Sequence, residues 1–205
     1  MNLKKTVLYM RLGMALGLVL TIGALAGCGS SSQTTPTGPS PADTATAKKA
    51  FAIAVSTLST TAPDGKLLVA QASGPITATS TPSWEFLIGS PKTDVIYAVL
   101  VTGSKGQFQQ YGKAGLSAAE WAAVPAPSAW KIDSNTAHEK AVAVHSPGKS
   151  AAYILGFVTY VPKSAKNSTA KPMVWNIQFD PTTQGSAPTS TVDVDMSTGV
   201  ATYAK

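Results

Sequence analysis

One pattern of residues occurs twice in this chain, about 90 positions apart, and that duplication limits the fold more than any other feature. "DTATAKKAFAIAV" begins at Asp43 and "DSNTAHEKAVAV" at Asp133. Each opens with Asp, Ser or Thr cap candidates and continues with apolar residues at helical spacing. The spacing is clear for Ala47, Ala50, Phe51, Ala54, Val55 and Leu58, and weaker for Ala137, Ala141 and Val144. An apolar stretch follows each helix, "KLLVAQASG" from Lys66 and "AAYILGFVTYV" from Ala151. A tryptophan strand comes next, "PSWEFLIGSP" from Pro82 and "PMVWNIQFDP" from Pro172. Trp84, Phe86 and Ile88 alternate in step with Trp175, Ile177 and Phe179, so each trio lies on one face of a sheet. Both patterns end in "VLVTGSKG" and "VDVDMSTG", where Gly106 and Gly199 suit turn positions of positive φ. The expected fold class is α+β: two tandem units, each one helix packed on an antiparallel sheet of three or more strands.

The chain divides accordingly. Residues 43–112 form the first unit, 113–130 a connector and 131–205 the second unit. Units of about 70 residues are marginal by surface-to-volume scaling, so the two are expected to lean on one another. The connector carries a short helical patch and then Pro125 and Pro127. Tyr111, Trp121 and Trp130 are a candidate binding surface if one concavity gathers them, although large aromatics in a connector more often seal an interface.

Residues 1–27 have the three-part layout of an export signal: Lys4, Lys5 and Arg11 in front, an apolar run from Leu12 to Leu25, then small residues. That run of fourteen is short of the roughly 20 residues that span a bilayer as a helix. Leu25, Ala26, Gly27 and Cys28 resemble the lipobox of bacterial lipoproteins. The resemblance implies cleavage between Gly27 and Cys28 and a diacylglycerol on the Cys28 sulfur. Cys28 is the only cysteine, so no disulfide competes for it. Two or more acyl chains, at about 0.8 kcal/mol per buried methylene, hold a protein on a membrane. Residues 28–42 then form a flexible tether: "GSSSQTTPTGPSPA" has nothing to bury and would hold the remainder on the order of 20 Å from the lipid. The expected location is the cell envelope, outside the cytoplasm, with the membrane reached through the N-terminal lipid.

Three of the sixteen basic residues fall in residues 1–27, leaving thirteen against ten acidic ones and a net charge of +3. Every basic residue after Arg11 is a lysine. A chain without arginine forks is poorly equipped to grip phosphates, so nucleic acid is not an expected partner.

"WKIDSNTAHEKA" from Trp130, "PMVWNIQF" from Pro172 and "VDVDMSTGVATY" from Val192 resemble the PepSY-like group of small exported bacterial domains, with Asp133, Ser134, Trp175, Asp195 and Gly199 at the matching places. The resemblance implies a helix on an antiparallel sheet and a binding or inhibitory module, found in protease propeptides and in stand-alone envelope proteins.

Motifs for other chemistry are incomplete. Asp193 and Asp195 suggest the start of a calcium loop, but Thr198 stands where glycine is needed and Ala204 where the bidentate glutamate is needed. With Val192, Val194 and Met196 facing a core, both aspartates are expected in solvent. "HE" at His138 has Val142 where a zinc protease needs its second histidine, so His138 reads as a solvated helix residue; His145 could share its face. No nucleophile elbow, phosphate loop or dinucleotide fingerprint occurs, and no metal or cofactor is expected. The reading from sequence is therefore a lipid-anchored extracytoplasmic binding protein without catalysis, capturing a peptide or protein segment or modulating a protease. The alternative is a structural or assembly factor of an envelope complex, with a weak hydrolase third.

Overall fold

The computed structural model describes residues 46–77, 80–145, 152–162, 171–180 and 190–204. Gly27, Cys28 and the rest of the expected signal and tether lie outside them. Eight strands form one antiparallel sheet: β1 (Lys66–Ala72), β2 (Trp84–Ser90), β3 (Val95–Thr102), β4 (Lys105–Lys113), β5 (Tyr153–Val158), β6 (Val174–Phe179), β7 (Ser190–Asp195) and β8 (Ala201–Tyr203). Their spatial order is β4-β3-β2-β1-β5-β6-β7-β8, the same outward from the middle in both directions. Three α-helices accompany the sheet: α1 (Ala47–Thr57), α2 (Ala118–Ala123) and α3 (Ser134–His145).

This overturns the expectation of two tandem helix-on-sheet units. β1 and β5 pair with each other, Val69 with Val158, Ala70 with Phe157 and Gln71 with Gly156, and the pairing makes a single sheet roughly 34 Å wide at about 4.8 Å per strand. The physical reason lies in the two inner strands. β1 buries residues on both faces and Leu155, Gly156 and Phe157 of β5 are buried, so an unpaired edge at either would strand main-chain polar groups away from water. Pairing them satisfies both edges together. The core is likewise common: Trp84 meets Trp175 edge to face at 6.3 Å, and Phe157 packs against both Trp175 at 4.6 Å and Trp130 at 4.9 Å.

α1 packs across β1 to β4 and α3 across β6 to β8, on the same face. Each presents small residues at helical spacing, Ala47, Ala50 and Ala54 in α1 and Ser134, Ala137 and Ala141 in α3, which lets the helix axis come close to the aromatic layer. The N-termini meet. The Ala47 N–H donates to Ser134 Oγ at 3.0 Å, while Asp133 Oδ1 accepts from the N–H groups of Lys48 at 3.1 Å and Ser134 at 2.7 Å. Thr46 makes no side-chain cap of its own, so α1 is capped by the residues that begin α3.

The opposite face carries α2. Ser117 and Glu120 close a capping box at its start, and Lys66 Nζ donates to the Trp121 carbonyl at 2.7 Å at its end. Trp121 fills the second core with Leu68, Leu87, Ile96, Ala98 and Val124. Gly89 lies beneath it because any Cβ there would strike the indole.

Two local expectations are also corrected. The turn glycine of the β3–β4 hairpin is Gly103, at φ 58°, whereas Gly106 is already in β4; its bare Cα makes room for the Thr57 side chain of α1. Gly199 does take the positive φ, at 73°. Asp193 is buried, accepting from Lys171 Nζ at 2.8 Å and Asn176 Nδ2 at 2.9 Å, because the open face of β6 and β7 is polar enough to cover it.

Candidate functional site

β4 is the long outer edge of the sheet. Among the described residues it pairs only with β3, and it runs for nine residues against three for β8 at the other edge. Lys105, Gln107, Phe108, Gln109, Gln110 and Lys113 are all exposed, which puts polar side chains on both faces of the strand. Phe108 is held upright by an edge-to-face contact with Tyr97 at 6.1 Å and remains 44% exposed. The strand is not straight. Tyr97 pairs with Gln110 and Ile96 with Gly112, so Tyr111 is an extra residue that bulges the edge. Asp94 anchors the exit: its carbonyl accepts from the Ala114 N–H, its Oδ2 from the Gly115 N–H at 3.1 Å, and its Oδ1 from Trp121 Nε1 at 3.3 Å. The result is a firm ladder of main-chain donors and acceptors with one side turned outward.

The lysines decide which strands can join it. A second copy pairing antiparallel about Gln109 would place Lys105 against Lys113 at both ends, two like-charge contacts of the kind that disfavours cross-strand pairing. An extended segment bearing carboxylates near its ends meets the same lysines favourably. Chemically this edge can bind a strand; it holds no group that could transform one.

The aromatic residues singled out from sequence are divided by the sheet. Tyr111 and Trp121 share the cluster beneath α2, whereas Trp130 lies in the other core, between Phe51 at 5.9 Å and Phe157 at 4.9 Å. Trp121 and Trp130 are 5% and 3% exposed, so no concavity collects the three. β4 has no strand pattern in sequence, because "KGQFQQYGK" lacks the alternation of a half-buried strand. Its signal was that very lack, directly after a hairpin turn: an edge strand wet on both sides has no apolar face to show.

Other polar groups have structural partners. His138 is no solvated residue: it stacks on Tyr153 at 3.8 Å, and burial pulls its pKa below the ordinary histidine value against the opposing charge of Glu139. Asp195 Oδ1 accepts from the side chain and main chain of both Ser197 and Thr198, and these bonds, led by the Ser197 hydroxyl, lower its pKa to about 2. Among the described residues no group of three His, Cys, Asp or Glu is placed to hold a metal ion, and no helix is long and apolar enough to cross a membrane.

No protein-family model matches the chain, and neither a curated protein nor a solved structure matches it significantly.

Proposed function

We propose that this chain is an envelope protein, anchored by lipid on Cys28, that captures an extended, acid-flanked segment of another protein by adding it as a ninth strand beside β4. The observation that supports this most directly is the nine-residue edge, with six of its residues exposed and a lysine at each end. Strand addition draws affinity from main-chain hydrogen bonds and selectivity from side chains at alternate positions. Here those positions are Phe108 and Gln110 toward the α1 face and Gln107 and Gln109 toward the other.

The test is amide hydrogen exchange on the full chain in detergent, with nine-residue peptides whose flanking residues are either Glu or Lys. Protection of 105–113 by the Glu-flanked peptides, lost when Lys105 and Lys113 are both changed to Glu, is the expected result. Equal protection by both peptide sets would refute the charge argument, and absence of protection by any peptide would refute the docking edge.

A further inference from the structure

At the far end of the sheet from β4, the C-terminus of α3 meets the start of β7 and the short β8. His145 Nε2 lies 2.7 Å from Ser190 Oγ, and His145 Nδ1 lies 3.3 Å from the Tyr203 hydroxyl. Tyr203 in turn donates to the Val144 carbonyl at 3.5 Å. A phenol has one proton. If Tyr203 gives it to Val144, its oxygen accepts from Nδ1–H, and the neutral ring then turns the lone pair of Nε2 toward Ser190. In that tautomer the chain of bonds runs in one direction: the Ser190 hydroxyl donates to Nε2, Nδ1–H donates to Tyr203, and Tyr203 donates to Val144. That is the protonation pattern that activates a serine hydroxyl as a nucleophile, with a histidine base oriented by a third group.

Two further features suit the same chemistry. His145 is in the last turn of α3, so the helix fixes the point from which its ring projects. The ring is also held in place, packed against Phe179 at 4.9 Å and edge to face with Tyr203 at 6.0 Å. Ser190 and His145 are half-buried and Tyr203 is 54% exposed.

We infer that Ser190 is a nucleophile activated by His145, with Tyr203 as the positioning residue, and that it accepts acyl groups from activated esters. Ser190 Oγ attacks the ester carbonyl carbon while Nε2 takes the hydroxyl proton. The bond to the leaving alkoxide or phenoxide breaks, the imidazolium returns the proton to that oxygen, and an acyl-serine remains for water to hydrolyse. The inference goes beyond strand capture and stands on other residues, so either can fail without the other.

The experiment uses the full chain in detergent with diisopropyl fluorophosphate and with p-nitrophenyl acetate. Peptide mass mapping of the wild-type chain is expected to place the phosphoryl adduct on Ser190, which requires no variant to fold. p-Nitrophenol release is expected to depend on pH, to fall to background in Ser190→Ala, and to drop about a hundredfold or more and lose its pH dependence in His145→Gln, in line with the share usual for a general base. Tyr203→Phe is expected to move the pH profile, which a purely structural contact would leave alone. Adduct on another residue only, no adduct at all, or labelling of Ser190 at the wild-type rate in His145→Gln would each overturn the assignment.

Discussion

Gly156→Ala puts the continuity of the sheet to a direct test. Gly156 is buried at the β1–β5 seam opposite Gln71, and a Cβ built there lies 2.9 Å from Gln71 Cβ and 3.0 Å from the Ala70 carbonyl oxygen. Neither neighbour is the free end of a flexible chain, so the strands themselves must part. Forcing one methyl group into a packed site costs about 1–3 kcal/mol. Replacing a strand glycine returns about 0.5–1 kcal/mol of chain entropy. The net expectation is a loss of about 1–2 kcal/mol, seen as a fall of about 0.5–1 M in the urea midpoint if the slope is about 2 kcal/mol per M. Because the aromatic core crosses the seam, the whole sheet is expected to unfold in one transition, in wild type and variant alike, by both tryptophan fluorescence and far-UV circular dichroism. A variant as stable as wild type, or two separate transitions in the wild type, would refute the reasoning.

Three other perturbations follow from the same geometry. Trp175 Nε1 donates at 2.9 Å to the Ile132 carbonyl, which also accepts from Trp130 Nε1 at 2.8 Å, while the buried Trp84 Nε1 has no partner among the described residues; Trp175→Phe should therefore cost about 0.5–1.5 kcal/mol more than Trp84→Phe in thermal unfolding. Ser134→Ala removes the acceptor of the Ala47 N–H at the junction of the two helices, and a loss of about 1–2 kcal/mol is expected, or roughly 2–8 °C in Tm for a chain of this size. Asp195 has a folded pKa of about 2, below its ordinary 3.8, so its contribution is present above pH 4 and is lost as pH falls from 4 through 2; Asp64 is shifted in the same sense, burial being outweighed by hydrogen bonds from Lys92 and Ser90. Asp195→Ala should flatten part of that acid limb in a stability-against-pH series and loosen the β7–β8 turn in hydrogen exchange.

The periodicity of the chain was enough to place α1, α3 and the two tryptophan strands, because a helix or strand that covers a core must repeat its apolar residues at 3.6 or 2 positions. Val192, Val194 and Met196, all fully buried, obey the same rule. β4 and the environment of His138 were not legible in that way. β4 has no dry face, and His138 is covered by Tyr153, which belongs to another strand. The Ser190, His145 and Tyr203 network was equally hidden, since its members are 45 and 58 positions apart and none sits in a recognisable motif.

By itself, then, the order of residues determined the local elements, their duplication and the single cysteine behind an apolar run, all of which are written in short-range spacing. Only the tertiary structure decided that the duplicated strands join into one sheet, that α3's first residues cap α1, and that Trp121 and Trp130 part to opposite faces. Each of these depends on main-chain groups or surfaces meeting across the β1–β5 seam. A hydrogen-bonding edge looks the same in sequence whether its partner is water, its own repeat or another protein.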